Sequence, residues 1–395
     1  MAVRNITLAA VAMALALPYS HRAAAQATPA TPPQPAYNPT NPIPNTAAEP
    51  PSVEVAPDHR VTFRLHAPDA TTVTLNGDFL LGAPAVSLIK GADGTWTYTT
   101  APLTPDSYTY NFTVDGVMVL DTRSQNFKDT PNSLFNFFDM PDASTDFMAL
   151  KEVPHGRVEA VIYHSASLNM ERRVHVYLPP GFETIQGKIP VLYLLHGAGD
   201  NDISWTSAGK INLILDNLYA AGKIRNMIVV MPSGHVPGAP RRMMQPPSPE
   251  GDPFSKDFLN ALVPYIQKTY PVSTRREDTA IAGFSMGGVQ ALNLALFHPE
   301  MFAYVFPIST GYFPAGIKQI EQDDAAALTA IAAHPFKQFI MGRGKDDKLT
   351  AANSTATLQM LDDFKIPHKY IELDGIHSFV FARRFLLQVF PLMFR

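Results

Sequence analysis

One serine in this chain is placed as a nucleophile would be. The stretch Gly283-Phe284-Ser285-Met286-Gly287-Gly288 contains a G-x-S-x-G pentapeptide between a strand-like run, Thr279-Ala280-Ile281-Ala282, and a helix-like run from Val289 to Phe297. A strand that turns at once into a helix pushes the intervening serine out at the apex. It also brings the residues two before and two after that serine almost into contact, which only glycine tolerates. A chance match in some other glycine-bearing turn is the competing explanation, so the reading depends on whether the chain supplies partners for Ser285.

A serine hydroxyl is a weak nucleophile until a histidine accepts its proton, and that histidine needs a carboxylate to orient it. In α/β-hydrolases the order along the chain is serine, acid, histidine, with the acid after a later strand. Phe336 to Met341 reads as such a strand and is followed by Gly342-Arg343-Gly344-Lys345-Asp346-Asp347. A helix-like segment from Thr350 to Phe364 leads to a strand, Lys369 to Leu373, and then to Asp374-Gly375-Ile376-His377 and a final helix. His377 sits in a strand-to-helix loop at the expected place and is the expected base; with 12 histidines in the chain, a surface loop histidine is the competing explanation. Asp347 is preferred over Asp346 as the acid, the other of the pair being expected to cap the next helix or meet Lys345 or Lys348. Asp374 reads as a turn residue.

The tetrahedral intermediate needs backbone N–H donors. One should be the amide of Met286, directly after the nucleophile. The other should follow an earlier strand: Ile189 to Leu195 is an apolar, β-rich run ending in His196-Gly197-Ala198-Gly199-Asp200. Ala198 N–H is the candidate second donor, Gly197 lets the backbone approach substrate, and His196 is expected to fix the loop by hydrogen bonding. Pro232 to Lys256, a long irregular stretch after the strand Met227 to Met231, is a candidate lid or wall in which Arg241, Arg242, Met243 and Met244 would line the site.

The surrounding elements fit a two-domain, exported chain of 395 residues. Residues 1–25 read as a signal peptide: one early positive charge, an apolar stretch from Ile6 to Leu17 too short to span a bilayer, and Ala23-Ala24-Ala25 before Gln26. Residues 26–53, rich in Pro, Ala, Thr and Asn, read as an extended linker. From Arg60 the apolar period becomes two (Val61, Phe63, Leu65; Trp96, Tyr98; Tyr108, Tyr110, Phe112), with turn signals between the runs. That pattern predicts an antiparallel immunoglobulin-like β-sandwich over 54–142, with Trp96 and Phe112 in its core. Thr130 to Phe147 is an aromatic-rich stretch that could pack across both domains, and a connector (143–157) leads to the hydrolase, a mostly parallel doubly wound sheet over 158–395. No cysteine is present, which excludes disulfides, thiolate nucleophiles and thiolate metal sites. A net charge of −4 with no basic cluster gives no footprint for nucleic acid. The chemistry calls for no metal and no organic cofactor, and no later stretch predicts a membrane span.

The runs RRVHVYLPPGF, IPVLYLLHGAGDNDISW, MIVVMPSGH, IAGFSMGG and GIHSF resemble carbohydrate esterase family 1, the feruloyl and acetylxylan esterases, with further similarity to enterochelin esterases, S-formylglutathione hydrolase and mycolyltransferases. The resemblance covers roughly Val158 to Arg395. It implies Ser285 as nucleophile, Asp347 as acid, His377 as base, Ala198 and Met286 as oxyanion donors, and Trp205 as an aromatic bordering the substrate pocket. The segment from about Glu54 to Asp139 resembles the early-set sandwich of carbohydrate-binding module family 48. That implies either glycan contact or a wall of the esterase cleft, and the aromatic connector favours the wall. The expected activity is release of feruloyl or acetyl groups from plant cell-wall polysaccharide by a periplasmic or extracellular enzyme. Siderophore, aryl or polyester hydrolysis, acyl transfer, and a glycan-binding protein with an inert hydrolase fold are the alternatives.

Overall fold

The computed structural model describes residues 50–130, 134–238 and 252–395. The expected signal peptide, residues 26–49 of the expected linker, and Arg241, Arg242, Met243 and Met244 lie outside the described residues, whereas the last residue of the expected linker, Val53, opens the first strand.

The leading region is built from short strands: β1 (Val53–Val55), β2 (Val61–His66), β3 (Val73–Gly77), β4 (Val86–Ser87), β5 (Ile89–Lys90), β6 (Thr95–Thr99), β7 (Ser107–Val114), β8 (Val117–Val119), β9 (Phe127–Asp129) and β10 (Leu134–Asp139). They form two sheets, ordered β1-β2-β6-β5 and β4-β3-β7-β10-β9, with β8 added on β7. Side chains alternate across a strand, so Val61, Phe63 and Trp96 of the first sheet share one buried cluster with Val73, Leu75, Tyr108, Tyr110 and Phe112 of the second. Trp96 donates its indole N–H to the Ala67 carbonyl, 2.9 Å away, and is a core residue.

The second region carries one sheet of eight strands: β11 (Arg157–Ser165), β12 (Met170–Leu178), β13 (Val191–Leu195), β14 (Ile228–Pro232), β15 (Thr279–Phe284), β16 (Tyr304–Ile308), β17 (Gln338–Gly344) and β18 (Lys369–Leu373). Their order is β11-β12-β14-β13-β15-β16-β17-β18. The strands from β13 onward are mutually parallel, whereas β12 runs antiparallel to both β11 and β14. The helices are α1 (Ile211–Ala220), α2 (Pro253–Asp257), α3 (Val263–Thr269), α4 (Met286–Phe297), α5 (Pro314–Asp323), α6 (Ala325–Ala333), α7 (Ala351–Asp363) and α8 (Phe379–Val389).

Every residue of β13 and β15 is buried, as expected of central parallel strands covered on both faces. Val191, Tyr193 and Leu195 of β13 join a core with α3, α4 and α7. Leu192 and Leu194 join a separate core with α1 and α8. The sheet is therefore wound by helices on both faces, and loops at the carboxyl ends of its strands are free to form a site. Among the described residues no helix is long and apolar enough to cross a membrane.

Pro50–Arg395 form a single compact unit. A buried charge cluster ties its two regions together: Asp106, before β7, accepts from Arg383 Nη2 at 2.6 Å and Arg384 Nη2 at 2.8 Å, both on α8.

Candidate active site

Ser285 sits at the end of β15 with φ 55° and ψ −115°, and α4 starts at the next residue. The glycines around it are required by contact. A Cβ on Gly283 would lie 2.0 Å from the Gly287 carbonyl oxygen, and one on Gly287 would lie 2.6 Å from the His196 carbonyl oxygen. Gly288 is equally constrained, since its Cβ would meet Thr310 Cγ2 at 2.4 Å. The turn is held from the next strand: Ser285 N–H donates to Ile308 O at 2.9 Å, and Thr310 Oγ1 donates to Ser285 O at 2.8 Å. Thr310 was not anticipated, because nothing near it in sequence marks its contact with Ser285.

The loops after β17 and β18 are fastened to each other. Lys345 N–H donates to Leu373 O, Asp346 N–H donates to Gly375 O, and Lys345 Nζ meets Asp374 Oδ1 at 2.8 Å. Asp374 is thus the ion partner of Lys345 as well as a turn residue. A Cβ on Gly344 would lie 2.2 Å from Gly375 O, so the two loops touch backbone to backbone. This joint brings Asp347 to His377, with Asp347 Oδ2 2.8 Å from His377 Nδ1.

Asp347 is buried and Asp346 exposed. Asp347 also holds the turn that leads into α7: Oδ1 accepts from the amides of Leu349 (3.1 Å) and Thr350 (3.2 Å), and Oδ2 accepts from Thr350 Oγ1 (2.8 Å). Burial pushes its carboxyl upward, but the bonds from His377 and Thr350 outweigh that and hold it at about 2. The His377 ring lies against Phe284, centroids 4.7 Å apart, which sets the imidazole beside the residue preceding Ser285.

The loop after β13 is fixed through His196, which is fully buried. Its Nδ1 lies 2.8 Å from Gly197 O, and its Nε2 accepts from Gly234 N–H at 2.8 Å. Accepting at Nε2 and donating at Nδ1 requires the neutral ring, and burial pushes its pKa down to about 4. Gln290 of α4 donates to Gly234 O at 2.9 Å, joining the same loop to the helix behind Ser285. Gly197 abuts the Phe284 ring, Ala198 is half-buried in the loop, and Met286 N–H belongs to the first turn of α4, whose amides have no acceptor within the helix.

Trp205 is placed differently from the expectation. It is fully buried, packed edge-on against Phe379 at 5.1 Å, and offers no surface to a ligand. The loop from Asp200 to Lys210 folds back under α1 and takes the ring into the core beneath the site. Phe379 in turn lies 5.8 Å from Phe284, so Trp205 supports the site from behind. Among the described residues no group of three His, Asp or Glu side chains is placed to hold a metal ion.

A family model described as putative esterase matches residues 165–383, more than half of the chain. The chain belongs to this esterase family. Its curated relatives include an endo-1,4-beta-xylanase/feruloyl esterase of Xylanibacter ruminicola, 36% identical over 263 residues that make up 65% of this chain and 36% of that protein. Another is endo-1,4-beta-xylanase Y of Acetivibrio thermocellus, 22% identical over 54% of this chain and 20% of that protein. The chain thus spans little more than a third of the length of the first and a fifth of the second. Among solved structures, a ferulic acid esterase superposes with a TM-score of 0.51 at 27% identity, covering 60% of this esterase-family chain and 98% of its own. The enterobactin esterase of Shigella flexneri superposes with a TM-score of 0.64 at 19% identity, covering 84% of this chain and 92% of its own. That wider coverage takes in part of the leading β region, a likeness of fold.

Proposed function

We propose that this chain is an exported serine carboxylic ester hydrolase that releases feruloyl or acetyl groups from plant cell-wall polysaccharide. One observation carries the chemistry: a buried carboxylate bonded to His377 Nδ1, with that imidazole packed on the residue before a serine held at positive φ. Asp347 keeps the proton on Nδ1, so the Nε2 lone pair can accept from Ser285 Oγ. Ser285 then attacks the ester carbonyl, and the amides of Ala198 and Met286 receive the oxyanion. Collapse expels the alcohol, which takes its proton from His377, and leaves an acyl-serine. Water, deprotonated by His377, adds to the acyl-serine and releases the acid, restoring the hydroxyl. These steps use groups of the chain and water.

For the substrate, the supporting facts are the name of the 36%-identical relative and the family resemblance of the motifs. We assign the leading region as an immunoglobulin-like early-set sandwich similar to carbohydrate-binding module family 48. Residues 1–25 are assigned as an export signal, which places the mature enzyme in the periplasm or outside the cell. A second reading, siderophore ester hydrolysis, is favoured by the wider coverage of the enterobactin esterase fold. At 19% identity that likeness concerns architecture alone, so feruloyl esters stand first.

Steady-state hydrolysis of methyl ferulate against p-nitrophenyl acetate, with Ser285→Ala in parallel, tests the proposal. The expected result is a kcat/KM for ferulate at least equal to that for acetate and lost in the variant. Activity on acetate alone moves the substrate to acetyl or siderophore esters. Activity that survives in Ser285→Ala removes the mechanism.

A further inference from the structure

We propose that the leading β region is a positioning element for the oxyanion loop, and that Lys128 on β9 is the residue through which it acts. The inference rests on the reading of Ala198 and Met286 given above.

Two contacts from the leading region, and a third relayed by Arg383 of α8, converge on one segment of the hydrolase, residues 200–210. Lys128 Nζ donates to Asp200 Oδ1 at 2.6 Å, with side chains only 12% and 6% exposed. Arg383 Nη1 donates to Ala208 O while its Nη2 donates to Asp106 Oδ1 and Ser107 O of the β region. Lys210 Nζ donates to Asp139 Oδ2 at 2.8 Å and lies 5.4 Å from the Phe137 ring. The paired strands β9 and β10 therefore contribute a cation at one end of the segment and an anion at the other. Because the charges are exchanged, sliding the strands along the segment would separate both pairs, so the register is fixed.

The gripped segment begins two residues after Ala198. Asp200 N–H closes a turn onto Gly197 O at 3.1 Å, and Asp200 Oδ2 lies 2.9 Å from where a Gly197 Cβ would be. Ala198 is inside that turn. Lys128 also sits 5.1 Å from the ring of Phe379, which packs on Phe284 next to Ser285. Without Lys128, the mostly buried Asp200 carboxylate has to turn toward water, and the Gly197–Asp200 turn moves with it. An oxyanion donor works only when aimed at the charge that develops in the transition state. A displaced Ala198 amide therefore lowers kcat and leaves ground-state binding nearly unchanged.

The experiment uses the full chain with p-nitrophenyl acetate. Loss of one oxyanion donor costs on the order of 10²–10³-fold, so misaiming one should lower kcat in Lys128→Met by about 10–100-fold with KM within about threefold. Lys128→Arg should restore most of the rate, and adding Asp200→Asn to Lys128→Met should cost little more, because the two act as a unit. Amide hydrogen exchange over residues 196–204 should quicken in Lys128→Met, while that of β15 stays as it was. Unchanged kcat, or unchanged exchange in the loop, overturns the proposal. Equal losses in the Met and Arg variants with a lowered Tm also overturn it, since the role is then structural only. Absence of hydrolysis by the parent protein would count against the triad, and the exchange comparison would still decide the question of the loop.

Discussion

Replacing Asp347 by Asn tests the acid at the level of a single proton. The two carboxylate oxygens have different partners: Oδ1 accepts two backbone amides, from Leu349 and Thr350, whereas Oδ2 faces His377 Nδ1 at 2.8 Å and accepts from Thr350 Oγ1, a hydroxyl that can turn to accept instead. An asparagine must keep its carbonyl oxygen toward the two amides, which forces its NH₂ into the place of Oδ2. Donor then meets donor unless the imidazole moves its proton to Nε2, and in that tautomer Nε2 cannot accept from Ser285. Side-chain volume and hydrogen-bond count are nearly conserved, so the fold should hold while the base is lost. The wrong tautomer costs about 10³–10⁴ in kcat, roughly 4–5.5 kcal/mol at 1.36 kcal/mol per tenfold. Steady-state hydrolysis of p-nitrophenyl acetate by Asp347→Asn measures it, with Asp346→Asn as the control. Asp346 is exposed and joins the His377 loop only through its backbone amide, so its variant should stay within about twofold of the parent. A loss of less than tenfold in Asp347→Asn, or a larger loss in Asp346→Asn, would refute the assignment.

Asp106→Ala strands Arg383, only 1% exposed, without its carboxylate. The expected loss is about 3–5 kcal/mol of stability, read as a lowered denaturant midpoint, and a change near zero would show that the guanidinium finds other partners. Acid should also weaken the fold through Asp347 and Asp202, both held at about 2. Asp202 is pushed up by burial but pulled down further by His175 and Arg173. A folded-state pKa below the unfolded value stabilises above that unfolded value, and the contribution fades as pH falls from about 4 toward 2. Denaturant titrations between pH 7 and pH 3 should therefore show a shallower acid loss in Asp202→Asn than in the parent, and equal slopes would refute it.

The local order around Ser285 was legible because it is written in neighbours: a buried strand, a crowded turn and a helix within one short stretch. The strand Lys369–Leu373 and the helix from Ala351 to Asp363 coincide with the strand-like and helix-like runs read from the sequence. Choosing between adjacent Asp346 and Asp347 was harder, since a strand-end loop sends successive side chains in opposite directions. Neither aspartate caps α7, whose N-cap is Thr350; Asp347 instead holds the turn before the helix as well as facing His377. Trp205 misled because its position in the motif says nothing about which way a folded-back loop turns its ring. The contacts of Lys128 with Asp200 and of Asp106 with Arg383 join residues 72 and 277 positions apart. No periodicity or motif in one chain carries such a pairing.

Ser285 holds φ 55° and ψ −115°, a left-handed backbone that residues other than glycine rarely adopt. A non-glycine residue in such a conformation costs on the order of 1–3 kcal/mol, which the surrounding contacts must offset. Glycine at this position would relieve the strain and leave the turn intact, so the folded chain sits below the stability its own architecture would permit. Robustness and reactivity pull in opposite directions at one residue, and a hydrolase fold with no chemistry to perform has no physical reason to keep a serine there.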